Sequence, residues 1–177
     1  MLERFNLIVS TSRGNERNAI REIWYLLNEL GDKTPEVDVT PAIGLVVAQT
    51  SLEPLEATSK LRNILREKPW EIRYILKITP IERVVPANLL EIARISQELA
   101  EKIRKNESYR VTVRKRHSDL RSKDIIEAVA SKINRHVDLE NPEKVILVEV
   151  ISNAVGISVL TSNHVLAVGK EKLSLKR

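Results

Sequence analysis

A basic segment between Arg110 and Lys123 holds the residues of this chain that are best suited to binding a charged ligand. It reads Arg-Val-Thr-Val-Arg-Lys-Arg-His-Ser-Asp-Leu-Arg-Ser-Lys, which predicts an alternating strand, a cationic loop and the start of an amphipathic helix. Guanidinium and ammonium groups bind phosphate oxygens, and the N–H groups at a helix N-terminus add neutral donors. The segment therefore predicts a site for a polyanion, most directly a nucleic acid.

The positive charge of the chain is concentrated around this segment. Residues 104–123 contain eight Lys or Arg against two acidic residues, a local excess of +6, whereas the whole chain carries a formal net charge of +5. All other residues therefore sum to −1. A solvated charged surface that only keeps the protein soluble is the ordinary alternative. The coincidence of the charge with a helix start favours phosphate binding.

Two patches supply the candidate RNA-binding residues. The strand, loop and helix start of the first patch contribute Arg110, Arg114, Lys115, Arg116, His117, Arg121, Ser122 and Lys123, with Ser122 as the expected N-cap. The second patch consists of Arg13, just before a predicted helix, and Arg17 and Arg21, which are i, i+4 neighbours on that helix. Arg13 and Arg17 are its candidate RNA-binding residues. An exposed helix face balanced by Glu16 and Glu22 is the alternative for the second patch.

The sequence gives no signature of an enzyme. The chain contains no cysteine, which excludes disulfides, thiolate metal ligands and cysteine nucleophiles. No glycine-rich fingerprint follows a predicted strand, and the three histidines lack metal-ligand spacing. His117, Ser118 and Asp119 have the residue types of a catalytic triad, but sequence neighbours do not give its geometry. We therefore predict no catalytic residue, no cofactor and no metal site.

The composition also bears on the cellular compartment. The N-terminus lacks the long apolar core of a signal peptide, and no apolar run approaches the ~18 residues that span a membrane. Together with the absence of cysteine, this leads us to expect a cytoplasmic protein.

Hydrophobic periodicity predicts the order β-α-β-β-α-β within the first eighty residues. The predicted strands cover residues 5–10, 37–39, 43–48 and 72–78, and the predicted helices lie over residues 16–30 and between Pro54 and Pro69. This order is that of the ferredoxin-like split βαβ arrangement. The inward stripe of the first helix includes Trp24, so base stacking on exposed aromatic residues is not expected.

The second half predicts another mixed unit. A helix is predicted over residues 89–103, a strand over 109–114, a helix from Ser122, and strands over 145–151 and 155–160. We therefore expect an α+β protein with a ferredoxin-like domain over residues 1–80 and an α/β domain over 81–165. Residues 166–177 are expected to form a basic C-terminal tail.

Four segments of the second half carry a resemblance to a known family. They are Tyr-Arg-Val-Thr-Val-Arg-Lys-Arg-His at 109–117, Ile-Ile-Glu-Ala-Val at 125–129, Val-Asp-Leu-Glu-Asn-Pro at 137–142, and the apolar strand pair at 145–151 and 155–159. Residues 79–162 resemble the THUMP domain, an RNA-binding module of tRNA thiouridine synthases, tRNA methyltransferases and some pseudouridine synthases. Residues 1–78 resemble the N-terminal ferredoxin-like domain that precedes THUMP in such proteins.

The resemblance implies a non-catalytic tRNA-binding protein. The chain is most similar to the stand-alone THUMP adaptor that binds tRNA while an RNA cytidine acetyltransferase makes N4-acetylcytidine. The alternative is the RNA-binding part of a THUMP tRNA methyltransferase or thiouridine synthase that lacks its catalytic domain, and a third possibility is a general ribonucleoprotein component. In each case we expect the patches of the two domains to form one continuous track along the RNA.

This interpretation predicts a strong dependence of tRNA affinity on salt. Because phosphate contacts release counterions, the log–log slope of affinity against salt should be steep, and replacing Arg114 and Arg116 with Ala should reduce it by about one per lost contact. Titrations of tRNA at several salt concentrations measure this slope, and a flat response would exclude an electrostatic footprint.

Arg116→Glu should abolish binding without unfolding the protein, because an exposed charge change usually alters stability by only about 0.5 kcal/mol.

Overall fold

A computed structural model describes all residues from Met1 to Arg177. The chain forms a mixed α+β structure with two five-stranded sheets and five α-helices. It divides into two compact units. Unit 1 consists of Met1–Ile81 together with Asn163–Arg177, and unit 2 consists of Glu82–Ser162.

Unit 1 contains an antiparallel sheet with the strand order β10-β4-β1-β3-β2. Its elements are β1 (Leu7–Thr11), α1 (Glu16–Glu29), β2 (Glu36–Val39), β3 (Leu45–Gln49), α2 (Pro54–Glu67), β4 (Ile75–Pro80), β10 (Leu166–Ala167) and α5 (Val168–Ser174). Both long helices pack on one face of the sheet, because Leu61 and Leu65 of α2 and the buried stripe of α1 share a core with Leu7, Val9 and Val46. The elements from β1 to β4 follow the predicted order β-α-β-β-α-β.

The buried stripe of α1 corrects one expectation. Ala19, Ile23, Leu26 and Leu27 are buried at the spacing of a single helix face, whereas Trp24 is 45% exposed. Each helical residue is rotated by about 100° from its neighbour. Because Ile23 lies at the centre of the buried face, Trp24 points about 100° away from that centre and lies outside the buried stripe.

Residues 163–177 are integrated into unit 1. Leu166 and Ala167 pair with Ile78 and Lys77 of β4, so β10 becomes an edge strand of the sheet. Glu171 of α5 accepts a hydrogen bond from Arg62 Nε of α2 at 3.0 Å. These contacts place the end of the chain against β4 and α2.

Unit 2 contains a mixed sheet with the strand order β5-β9-β8-β6-β7. Its elements are β5 (Arg83–Pro86), α3 (Leu89–Leu99), β6 (Ser108–Arg116), α4 (Ser122–Ala130), β7 (His136–Val137), β8 (Lys144–Ile151) and β9 (Ala154–Leu160). Strand β6 runs parallel to both β7 and β8, whereas β5, β9 and β8 pair antiparallel. Because parallel neighbours end at the same edge of a sheet, the loops that follow β6 and β8 begin side by side.

Both helices of unit 2 pack on one face of this sheet. Ile92 and Ile95 of α3 and Ile125 and Val129 of α4 form a core with the apolar side chains of β6, β8 and β9, including Tyr109. The start of α3 is capped as the sequence favours, because Asn88 Oδ1 accepts hydrogen bonds from the N–H groups of Leu90 and Glu91.

A buried carboxylate joins two loops of unit 1. Asp32 follows α1 and is almost completely buried. Its side chain accepts hydrogen bonds from Thr50 Oγ1 at 2.7 Å, from Ser51 N at 3.0 Å and from Thr34 N at 3.1 Å. Burial raises the pKa of Asp32, but these hydrogen bonds outweigh burial and hold the pKa below its usual range.

We predict that Asp32→Asn lowers the free energy of unfolding by about 2 kcal/mol, because the new amide group faces donors that then lack an acceptor. Since the pKa of Asp32 is lowered in the folded state, the wild-type advantage is fully present above the unfolded-state pKa of about 3.9. It is lost as the pH falls through the folded-state value. Urea denaturation at pH 7 and pH 3 measures both effects. The exposed Asp119→Asn is the control, and equal losses in the two variants would contradict the prediction.

Candidate nucleic-acid interface

Strand β6 separates its apolar and basic side chains onto opposite faces of the sheet. Tyr109, Val111 and Val113 belong to the core under the helices. Because strand side chains alternate, Arg110, Thr112, Arg114 and Arg116 point to the opposite face. Strand β7 pairs only with the first two residues of β6, so the basic part of the strand lies at an open edge of the sheet.

The buried side chain of Glu149 organises two of these arginines. Glu149 lies on β8 directly beside Arg114 in the parallel register, and its side chain is only 1% exposed. Arg114 Nη1 lies 3.6 Å from one carboxylate oxygen, and Arg116 Nη1 donates a short hydrogen bond to the other. Glu149 is therefore a buried carboxylate paired with two arginines.

The two arginines differ in availability. The side chain of Arg114 is 43% exposed, whereas that of Arg116 is 27% exposed and directly bonded to a buried carboxylate. Arg116 is therefore not a free surface charge, and the premise that Arg116→Glu changes only an exposed side chain does not hold. Alternation along the strand indicates which face a residue occupies, but it does not reveal the acidic neighbour on the adjacent strand.

Arg110 is also held by a structural contact. Its Nη1 donates a hydrogen bond to the carbonyl of Leu139 at 3.0 Å. Asp138 Oδ1 shapes this loop by accepting hydrogen bonds from the N–H groups of Glu140 and Asn141, and these bonds lower the pKa of Asp138. The Val-Asp-Leu-Glu-Asn-Pro motif is therefore a turn that the arginine ties to β6.

The ends of β6 and β8 form a surface concavity of about 400 Å³. It is lined by Ala87, His117, Ser118, Asp119, Leu120, Ser152 and Asn153. His117 and Ser152, which directly follow the two strands, both adopt left-handed backbone conformations with φ of 54° and 56°. The N–H of Ser152 donates to the carbonyl of Arg116 at 2.9 Å.

Two non-glycine residues in this conformation are unusual. Each costs roughly 1–3 kcal/mol, and such residues cluster at functional sites. Among the lining residues, sequence reasoning selected His117 for RNA binding but missed Ala87, Ser152 and Asn153. The only sequence signal for Ser152 and Asn153 is the turn that they form after β8.

The loop of the concavity is fixed by local hydrogen bonds. Lys115 Nζ donates to the carbonyl of Leu120 at 2.8 Å, and Ser118 Oγ accepts from the N–H of Leu120 at 3.2 Å. The side chain of His117 is exposed. The loop therefore presents an imidazole and an ammonium group on a defined backbone.

Helix α4 begins one residue earlier than the sequence indicates. Arg121 occupies the N-cap position, no side chain caps the helix, and Ser122 is its first residue. The expected N-cap role of Ser122 is therefore wrong. Arg121 is exposed and pairs with Asp124, which raises the pKa of the guanidinium. The side chain of Lys123 is 80% exposed and lies 3.9 Å from Glu127.

The second patch belongs to unit 1. Arg13 lies in the turn after β1, Arg17 lies in the first turn of α1, and both are exposed. Glu16 does not balance them freely, because its carboxylate accepts a hydrogen bond from the N–H of Gly44 at 2.9 Å. The continuous track between the two patches stays a prediction.

The structure contains no group of three or more His, Cys, Asp or Glu side chains placed to hold a metal ion. None of its helices is both long and apolar enough to span a membrane.

A family model identifies a domain in the second half of the chain. Residues 86–160 match the THUMP domain, which confirms the resemblance of this segment. No curated protein matches the chain.

Solved structures share the fold at low sequence identity. PH1313 from Pyrococcus horikoshii is 21% identical with a TM-score of 0.64, over 88% of this chain and 54% of that protein. TrmN from Thermus thermophilus is 17% identical with a TM-score of 0.59, over 88% and 45% of the two chains. A 4-thiouridine synthetase in complex with RNA and ATP is 17% identical with a TM-score of 0.56, over 88% and 41%. The chain thus spans about half the length of the structures it matches.

We predict that Arg116→Glu destabilises the protein by about 3 kcal/mol, because it places a second carboxylate against the buried Glu149. Arg121→Glu, at an exposed position of the same segment, should cost only about 0.5 kcal/mol. Adding Glu149→Gln to Arg116→Glu should recover part of the loss by removing the repulsion. Urea denaturation of the wild-type protein and the three variants measures these differences. Equal stability of Arg116→Glu and Arg121→Glu would show that Glu149 does not depend on its arginine.

Proposed function

We propose that this THUMP-domain protein binds tRNA through the basic edge of unit 2 and acts as a non-catalytic adaptor for a tRNA-modifying enzyme. The observation that carries the proposal is the arrangement at the ends of β6 and β8. There a preformed concavity adjoins exposed cations and an uncapped helix start, all within the segment that matches the THUMP domain.

Three kinds of donor support contact with a phosphate backbone. The side chains of Arg121 and Lys123 are 77% and 80% exposed, and their carboxylate partners are surface pairs that cost little to exchange for phosphate. His117 lies at the rim of the concavity. The first N–H groups of α4 have no side-chain cap and remain available to an anion.

We propose that some residues of the interface contact RNA and that others hold the edge strand in place. Arg114, with a partly exposed guanidinium, is proposed to touch RNA while Glu149 orients it. Arg110 and Arg116 are proposed to act mainly by fixing the edge strand, because each spends donors on groups of the protein itself. Arg13 and Arg17 are proposed as additional phosphate contacts on unit 1.

The adaptor role rests on the sequence and on the comparisons. The 4-thiouridine synthetase with the same fold was solved with RNA, which supports RNA as the ligand here. This chain has no cysteine and no glycine-rich phosphate loop, so we propose that a partner supplies the chemistry. Cytidine N4-acetylation by an RNA acetyltransferase is the proposed reaction. The strand order β4-β1-β3-β2 of unit 1 supports a ferredoxin-like companion domain.

A second candidate function is favoured by the coverage of the comparisons. The chain matches 41% to 54% of the three solved structures described above, which include a 4-thiouridine synthetase. Under this second candidate function, the chain is the RNA-binding part of a THUMP methyltransferase or thiouridine synthase. To distinguish the two, the purified protein is added to tRNA with purified cytidine acetyltransferase, acetyl-CoA and ATP. Stimulated N4-acetylcytidine formation supports the adaptor. An unchanged rate with intact tRNA binding favours the second candidate.

We predict that Lys123→Glu weakens tRNA binding roughly tenfold, since it replaces a charge-assisted phosphate contact with a repulsive one. The matched control is Lys132→Glu, which makes the same charge change at an exposed position just beyond the other end of α4. Filter binding or fluorescence anisotropy with tRNA measures both affinities. Equal weakening in the two variants would show that only net charge matters and that the helix start is not part of the interface.

A further inference from the structure

A small pocket in unit 1 lies between the C-terminal turns of α1 and α2. Its volume is about 190 Å³, which is less than the roughly 300–1,000 Å³ of typical small-molecule sites. Leu26, Leu30 and Ile64 supply apolar lining. A pocket of this size and composition fits one long side chain rather than a cofactor.

The rim of this pocket is acidic. Glu29, Glu67 and Glu71 line it, whereas Lys68 is the single cation. The three carboxylates have no ion-pair partner in the structure, and all remain accessible. Both helices also end here, so their partially negative carbonyl termini add to the same potential. The pocket therefore attracts a cation and repels phosphate.

Tyr25 supplies an aromatic wall. It lines the pocket and is exposed. The carboxylates of Glu29 and Glu71 raise the pKa of its phenol, which indicates that both carboxylates act on the space beside the ring. A guanidinium bound there gains carboxylate hydrogen bonds and stacking on the ring together.

Exposed aromatic residues lie on the two chain segments that contribute to this pocket. Four of the six aromatic residues of the chain are exposed, and all four come from α1 or from the segment after α2. They are Trp24, Tyr25, Trp70 and Tyr74. Glu22 of α1 accepts hydrogen bonds from the N–H groups of Arg73, Tyr74 and Ile75, which holds the second segment against α1. Trp and Tyr are enriched at protein interfaces, especially at their energetic centres.

We propose that this pocket is a docking site for a protein partner that inserts an arginine side chain from an otherwise apolar surface segment. The arginine neutralises the acidic rim, and the exposed aromatic side chains of the same two segments bury apolar surface of the partner. The C-terminal end of α1 then holds protein, whereas the proposed phosphate contacts of unit 1 lie at the other end of this helix, at Arg13 and Arg17. The choice of the acetyltransferase as this partner rests on the proposed function, but the chemistry of the pocket does not.

The first test uses N-acetyl-arginine amide as a probe of the full-length protein, followed through the methyl NMR signals of Leu30 and Ile64. We expect saturable shifts at about millimolar probe and none with the neutral citrulline analogue. The shifts should disappear in the variant Glu29→Gln, Glu67→Gln, Glu71→Gln. They should persist in the control Glu3→Gln, Glu36→Gln, Glu56→Gln, which makes the same charge change at exposed positions of unit 1. Absence of saturable shifts in the wild-type protein overturns the proposal.

The second test measures binding of purified tRNA cytidine acetyltransferase and of tRNA to the same three proteins. We expect the pocket variant to bind the enzyme at least tenfold more weakly than the control variant, while the two variants bind tRNA equally. Equal enzyme binding by both variants overturns the docking site. If the enzyme binds none of the proteins but the arginine probe binds the pocket, the proposed acetyltransferase partner fails and the pocket stands.

Discussion

The buried carboxylate of Glu149 is the interaction on which the candidate interface depends. A carboxylate removed from water is costly unless opposite charges and hydrogen bonds compensate it, and here the compensation comes from Arg114 and Arg116 of the neighbouring strand. This contact requires β6 and β8 to be parallel and in one register. The same register brings the ends of both strands together. His117 and Ser152, in left-handed backbone conformations, then turn the chain after each strand at that edge. Charge, register and concavity are therefore parts of one arrangement.

The basic segment contains cations with distinct physical roles. Some are committed to the fold, as Arg116 is to Glu149 and Arg110 is to the Leu139 carbonyl. Others, such as Lys123, extend from the helix start with only a distant acidic neighbour. Because surface pairs are weak whereas breaking a buried pair is costly, the second group can exchange partners without disturbing the first. A run of like charges thus supplies both a stable edge strand and a set of exchangeable contacts.

Much of this molecule follows from local sequence patterns, and the exceptions have a common cause. The helices, the alternating strand β6 and the buried Tyr109 are visible in the sequence because each depends on spacing along one element. The pairing of Glu149 with Arg116 is not, since it depends on which strand lies next to which. The predictions that Trp24 is buried and that Ser122 is an N-cap are wrong because each was off by one residue. One residue further along a helix lies on a different face, and a helix that starts one residue earlier has a different N-cap. The sequence predicts a turn at Ser152. It does not show that this turn lies beside His117, because the two strands are neighbours only in the folded sheet.

Unit 2 is inserted into unit 1, and this affects the order in which the chain can fold during synthesis. The edge strand β10 and helix α5 come from residues beyond the insertion, so unit 1 remains incomplete until they are made. The 81 residues of Glu82–Ser162 occupy the ribosome for roughly 4–16 s at ~5–20 residues per second. Mixed domains of this size typically fold faster than that. Residues 1–81 therefore have time to fold before β10 is made, and β4 is an open edge of their sheet during that interval.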